Sequence, residues 1–227
     1  MVFSKFIAKF LYFVFPSIIL LSSVASAGSL RFGYNADKPE KVAQKRTVGS
    51  GSRNGTDCDP FSQKDSLVLL VPEAEVVHLT ASNSPSFYFY ARIDTQPSTV
   101  KFNLVNPKNQ AQNPLVEKTF TIRKSGIYQI DLGDRVSLNN NELCLWQIGI
   151  FCEEDRDRLH QILRAGVKKI EISESLKREI ESAKNSRKTQ IYAEQGLWYD
   201  ALNYANREDF QQLITQINID IRNLDGE

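Results

Sequence analysis

Between Ser66 and Cys152 apolar and polar residues alternate in short runs, and after Ser173 apolar residues recur at every third or fourth position. The first pattern places successive side chains on opposite faces of extended chain, and the second gathers them on one face of a helix. Seven β-branched and aromatic runs carry the alternation: 66–71, 76–80, 87–93, 100–105, 117–122, 126–132 and 143–152. Clusters of Pro, Asn, Gly and Ser separate them, as turns do. Faces follow from the pleat. Phe87, Phe89 and Ala91 point one way, with Tyr88, Tyr90 and Arg92 the other; Val100, Phe102 and Leu104 oppose Lys101 and Asn103.

The segment 158–172 reads either way. Leu159, Ile162, Leu163 and Val167 suit a helix face, yet Gly166 interrupts it and "VKKIEI" alternates, so a strand is expected. Beyond it, Ser173 is placed to cap a helix carrying Leu176, Ile180 and Ala183. The stretch 188–205 breaks at Gly196, and its second half sets Trp198, Ala201, Leu202 and Ala205 on one stripe. A last helix from about Arg207 aligns Phe210, Leu213, Ile214, Ile217, Ile221 and Leu224. The run "YAEQGLWYDAL" is similar to the middle of a tetratricopeptide repeat, in which a glycine turns one helix into the next. A single such unit cannot bury its own face, so it must dock on the strands or on another protein.

These patterns give a β-rich α+β fold. The expected architecture is an antiparallel β-sandwich of about 7–8 strands, followed by a helical segment with one tetratricopeptide-like hairpin. The expected domains are a signal peptide at 1–27, a polar, glycine-rich arm at 28–57, the sandwich at 58–172 and the helices at 173–227.

The N-terminus sets the compartment. Lys5 and Lys9 precede an uncharged run from Phe10 to Val24, and Ala25-Ser26-Ala27 supplies the small-x-small cleavage pattern before Gly28. The run is too short for a bilayer span of about 18–20 residues, and Pro16 interrupts it. Export to the periplasm or beyond is expected, with no membrane span after cleavage. Losing Lys5 and Lys9 and no acid takes the formal net charge from +1 to −1. A chain so balanced has no basic footprint for nucleic acid.

Three cysteines, at 58, 144 and 152, enter an oxidising compartment. Cys144 and Cys152 bound one strand-like run, whose ends would lie about 26 Å apart, whereas bridged Cα atoms lie within about 7 Å. Cys58 is therefore one partner, with Cys152 or Cys144 as the other; Cys152 is favoured because a strand's end is open to a loop. With that pairing Cys144 is a small buried apolar side chain.

Catalytic and cofactor motifs are scarce. The glycines of "RTVGSGSRNGTDC" (46–58) lack the lysine of a phosphate-binding loop and follow a polar segment instead of a strand. His78 and His160 sit in no metal-ligand spacing, and His78 in "VVHLT" reads as a strand-surface residue. The acids Glu153, Glu154, Asp155 and Asp157 alternate with Arg156 and Arg158, which reads as a solvated, self-paired loop. No catalytic, cofactor or metal residue is assigned.

The order of "RTVGSGSRNGTDC", "LVLLVPE" (67–73), "SPSFYFYARI" (84–93), "LWQIGIFCEEDRD" (145–157), "VKKIEIS" (167–173) and "YAEQGLWYDAL" (192–202) resembles the secreted bacterial family called domain of unknown function 928. The resemblance implies a bridge between Cys58 and Cys152 and extended chain between Cys152 and the first helix. Cys144 is an extra relative to that pattern, and the resemblance implies no activity.

Two non-enzymatic expectations remain. The first is an interaction module that binds an envelope protein through Trp198, Tyr199 and Asp200. The second is a glycan or small-ligand platform built on Tyr88, Tyr90 and Trp146. A hydrolase resting on two carboxylates, which leaves no local motif, stands third.

Overall fold

In the computed structural model, residues 67–217 are described, apart from 75, 93–96, 110–112, 134–135 and 152–158. Among the described residues the alternating runs form eight strands: β1 (Leu67–Leu69), β2 (Val77–Thr80), β3 (Ser86–Ala91), β4 (Ser98–Val105), β5 (Val116–Ile122), β6 (Gly126–Asp131), β7 (Leu143–Phe151) and β8 (Leu159–Lys169). The helices are α1 (Glu174–Ser182), α2 (Asn185–Glu194), α3 (Trp198–Tyr204) and α4 (Arg207–Gln216). The equivocal segment is thus the long strand β8. The signal peptide, the arm, Cys58, Cys152, the acidic loop, Ile221 and Leu224 lie outside the described residues.

The strands form two sheets, ordered β1-β3-β6 and β2-β8-β7-β4-β5. Among the described residues all pairs are antiparallel except one. β2 runs parallel to β8, with Val77 opposite Gly166 and Thr80 opposite Lys169, which corrects the expectation of an antiparallel sandwich. The two strands are separated by five others, β3 to β7, and a sequence pattern carries no direction for partners so far apart.

The alternation predicts the faces. Strand β4 is buried at every second residue, with Val100, Phe102 and Leu104 inward. The sheets meet through aromatic rings: Phe87 of β3 lies 5.5 Å from Phe102 and 5.0 Å from Trp146, and Phe89 lies 6.2 Å from Phe120. Such ring pairs add about 0.5–1.5 kcal/mol each to the burial of their area.

The helices complete this core. Strand β3 is buried on both faces, because its outward Tyr88 meets Phe210 of α4 edge-on at 5.4 Å. Helix α1 begins where Ser173 accepts a hydrogen bond from the Leu176 N–H, the cap expected there. Between α2 and α3 the chain turns at Gly196, whose φ of 71° lies in the left-handed region that a Cβ disfavours. Gly196 N–H donates to the Ala193 carbonyl and Leu197 N–H to Tyr192, satisfying the last carbonyls of α2. The two helices pack as a hairpin, and one core runs through sheets and helices alike.

Candidate functional site

Helix α3 positions the most informative side chains, because its first turn enters the space between the sheets. Trp198 Nε1 donates to the Leu70 carbonyl at 2.9 Å. Tyr199 lies between four elements: its hydroxyl donates to the Gly166 carbonyl at 2.9 Å and accepts from Trp146 Nε1 at 2.8 Å. Its ring meets Phe87 at 5.3 Å and His78 at 6.4 Å. A buried indole N–H and a buried phenol are costly unless paired, and here each meets the other's need.

Trp198 and Tyr199, expected at a partner surface, are therefore 0 % and 1 % exposed and belong to the core. The residues expected to form a ligand platform are buried as well. Trp146 and Tyr90 are fully covered, and Tyr88 is buried with Phe210 against its ring. The physical reasons differ: Trp146 and Tyr199 meet in the space between the sheets, Trp198 is bonded there to the Leu70 carbonyl, and Tyr88, on the outer face of the three-stranded sheet, is covered by α4. His78 is not on a strand surface either. It is buried, its Nε2 donates to the Glu73 carbonyl at 2.8 Å, and burial pushes its pKa down to about 4.

Asp200, the third residue of the expected surface, has a different role. Its carboxylate accepts from the Ala81 N–H at 2.8 Å, from the Thr80 hydroxyl and from the Ser82 N–H, and so fastens the end of β2 to α3. Burial raises its pKa from the usual 3.8 to about 6, although these donors oppose the rise.

Asp200 lies at one wall of a cleft of about 800 Å³ that the sequence did not reveal. The lip is Ala81, Ser82 and Asn83, after β2; beside it run the extended chain from Lys169 to Ser173, whose Ile170 N–H donates to the Thr80 carbonyl, and the first turn of α1. The α2–α3 hairpin contributes Tyr192, Asn203 and Tyr204, and Asn140 enters from the connection before β7. That connection is held in place because Asn140 donates its amide to Glu171, while Asn141 N–H, at a positive φ of 59°, donates to the Lys169 carbonyl.

A polar network leads from the cleft to the sheet. The Ser86 hydroxyl donates to Asp131 Oδ1 at 2.5 Å and lies 3.2 Å from Asn203 Oδ1, while Gln129 donates to the same Asp131 oxygen at 2.8 Å. Burial and the Asp131 charge push the Tyr88 phenol up to about 12. At the cleft wall the Tyr192 and Tyr204 rings stack at 5.2 Å with 22° between their planes, and Lys188 lies 5.6 Å from the Tyr204 centroid. Desolvation, with Asp200 nearby, also raises the Tyr192 phenol.

The cysteine inside the fold is inert. Cys144 is free and buried, and burial, aided by the Glu142 charge, pushes its thiol up to about 11. Among the described residues, no three His, Cys, Asp or Glu side chains gather as metal ligands, and no helix is long and apolar enough to cross a membrane.

The sequence pattern singles out Asp200 for a surface role it does not have, and it gives no sign of Asn83, Asn140, Asn203 and Tyr204. The asparagines carry only a turn signal, and Tyr204 sits just past the motif that contains Trp198. No curated protein matches the chain. Residues 48–218 match the family described as Domain of Unknown Function (DUF928), which spans the sheets, the cleft and the helical hairpin, and the chain belongs to that family.

Proposed function

We propose that this chain is an exported, non-enzymatic binding module of the bacterial cell envelope that receives its partner in the polar cleft between the lip after β2 and the α2–α3 hairpin. The scaffold in this reading is a β-sandwich, and the hairpin is a single tetratricopeptide-like unit whose open face is satisfied internally by the strands.

One observation carries the proposal. The cleft, within the size range of ligand sites, is walled in part by the motif that contains Asp200, and Asp200 itself is spent on holding the lip in place. A buried carboxylate whose oxygens are already engaged by the lip is not free to reach a substrate, which supports a binding role over a hydrolytic one. The leader-like N-terminus supports export. Burial of Trp198 and Tyr199 favours a ligand cleft over an adaptor that docks through the hairpin.

The test places a photo-activatable cross-linker at Asn203, in the cleft, and at exposed Leu115 as a control, in the chain from Gly28 onward. Irradiation with native envelope fraction should give an adduct from position 203 that the control lacks. Equal labelling at both positions, or none at 203, would remove the cleft as the binding site.

A further inference from the structure

We infer that the occupant of this cleft is a neutral saccharide, seated against the Tyr204 ring and hydrogen-bonded by the surrounding amides; the inference rests on the binding role proposed above. Charge is the first argument. Lys169 and Lys177 face Glu171 and Glu174 around the cleft, and the Asp200 carboxylate is taken up by the lip. An anionic ligand would meet two glutamates and a cationic one two lysines, so neither sign gains. The N-terminus of α1 does not tip the balance, because Glu174 stands in its first turn and pairs with Lys177 at 2.5 Å.

Hydrogen-bonding chemistry is the second argument. Asn83, Asn140 and Asn203 come from three separate elements, and each amide carries donors and an acceptor, one Asn140 donor being taken by Glu171. Ser82 adds a hydroxyl, which also plays either part. A lining that donates and accepts without net charge matches the vicinal hydroxyls of a sugar ring, every one of which donates and accepts. The third argument is the aromatic wall. Tyr204 is 39 % exposed, and Tyr192 and Lys188, four residues apart on α2, hold its ring in place. A fixed, part-exposed ring supplies the apolar contact that the C–H face of a sugar needs, at little cost in side-chain entropy.

The experiment titrates the chain from Gly28 onward with neutral oligomers of hexose and of N-acetylhexosamine, with an anionic oligosaccharide and with a neutral peptide, read by NMR. A neutral oligomer should shift the side-chain amides of Asn83 and Asn203. Tyr204→Ala should weaken it about tenfold, while Tyr204→Phe keeps the affinity. Asn83→Ala, on an exposed lip, serves as a second variant if Tyr204→Ala unfolds, and should weaken binding too.

The inference is overturned if no neutral oligomer binds, or if Tyr204→Ala and Asn83→Ala both bind as the parent does. Where position 203 still yields a cross-linked adduct, or the anionic sugar or the peptide binds in the cleft, the binding role stands and only the ligand class falls. With no cross-link at 203 and no ligand, both readings fall.

Discussion

At the residue scale, two buried groups on either side of the β2–α3 contact titrate in opposite senses. Asp200 has a native pKa of about 6 against 3.8, so its contribution to stability is full below pH 4 and is lost as the pH rises through 6. His78 has a native pKa of about 4 against 6.5, so its contribution is full above pH 6.5 and is lost as the pH falls through 4. Shifts of this size correspond to about 3 kcal/mol each, and between pH 4 and 6 the two slopes cancel. Denaturant unfolding across pH 4–7 should therefore show the effect only in variants. His78→Gln unmasks Asp200 and becomes less stable, relative to the parent, as the pH rises from 4 to 6. Asp200→Asn unmasks His78 and gains relative stability over the same range. Parallel curves for parent and variants would refute the assignment.

A second expectation at this scale concerns Tyr199. Tyr199→Phe keeps the ring among Phe87 and His78 but leaves the Trp146 N–H and the Gly166 carbonyl without the hydroxyl that serves both. The cost should be about 1–3 kcal/mol, read as a lower urea midpoint with an unchanged slope. A loss of a few tenths would mean that water replaces the hydroxyl.

At the scale of elements, the α2–α3 turn and the α1 cap are where local chemistry decides. Gly196→Ala keeps the helical sequence and adds a Cβ at a φ of 71°, so it should destabilise by about 1 kcal/mol or more despite the better helix propensity of alanine. Gain of stability in a thermal melt would show that the turn tolerates a different geometry. Both signals are open to reading in the sequence, since Ser173 before an amphipathic run and a glycine between two helical stripes are local rules. Strand positions are legible for the same reason: Val100, Phe102 and Leu104 face inward as their alternation requires. What local pattern cannot supply is which elements cover which face. Tyr88 and Tyr90 alternate with Phe87 and Phe89 like a solvent-facing or ligand-facing row, and Phe210 on α4, from more than a hundred residues away, is what covers Tyr88. The parallel β2–β8 pair and the cleft arise from the same kind of long-range meeting. Its asparagines come from three separate loops and helices, and no one stretch of sequence contains the site.

At the scale of the whole molecule, the helices belong to the core of the sheets. Phe87 lies against the Tyr199 ring and Trp146 donates to its hydroxyl, the Leu70 carbonyl is bonded to Trp198, and the end of β2 is held by Asp200. Ending the chain before Ser173 would remove all three at once. It would expose the cavity that Tyr199 fills and strand the Trp146 N–H, and losing one large buried aromatic side chain alone costs about 3–5 kcal/mol, comparable with the whole stability of a small domain. We expect a fragment of residues 28–172 to lose near-ultraviolet circular dichroism, to bind a hydrophobic dye and to unfold without a cooperative transition. A fragment that keeps a sharp melt would show that the sheets fold alone and that the helices are an appendage after all. The expected result matters for function as well. Loss of partner binding on truncation would then report loss of the fold, and point variants at Tyr204 and Asn83, which leave the Trp198 and Tyr199 contacts in place, are the changes that can separate a binding defect from an unfolded chain.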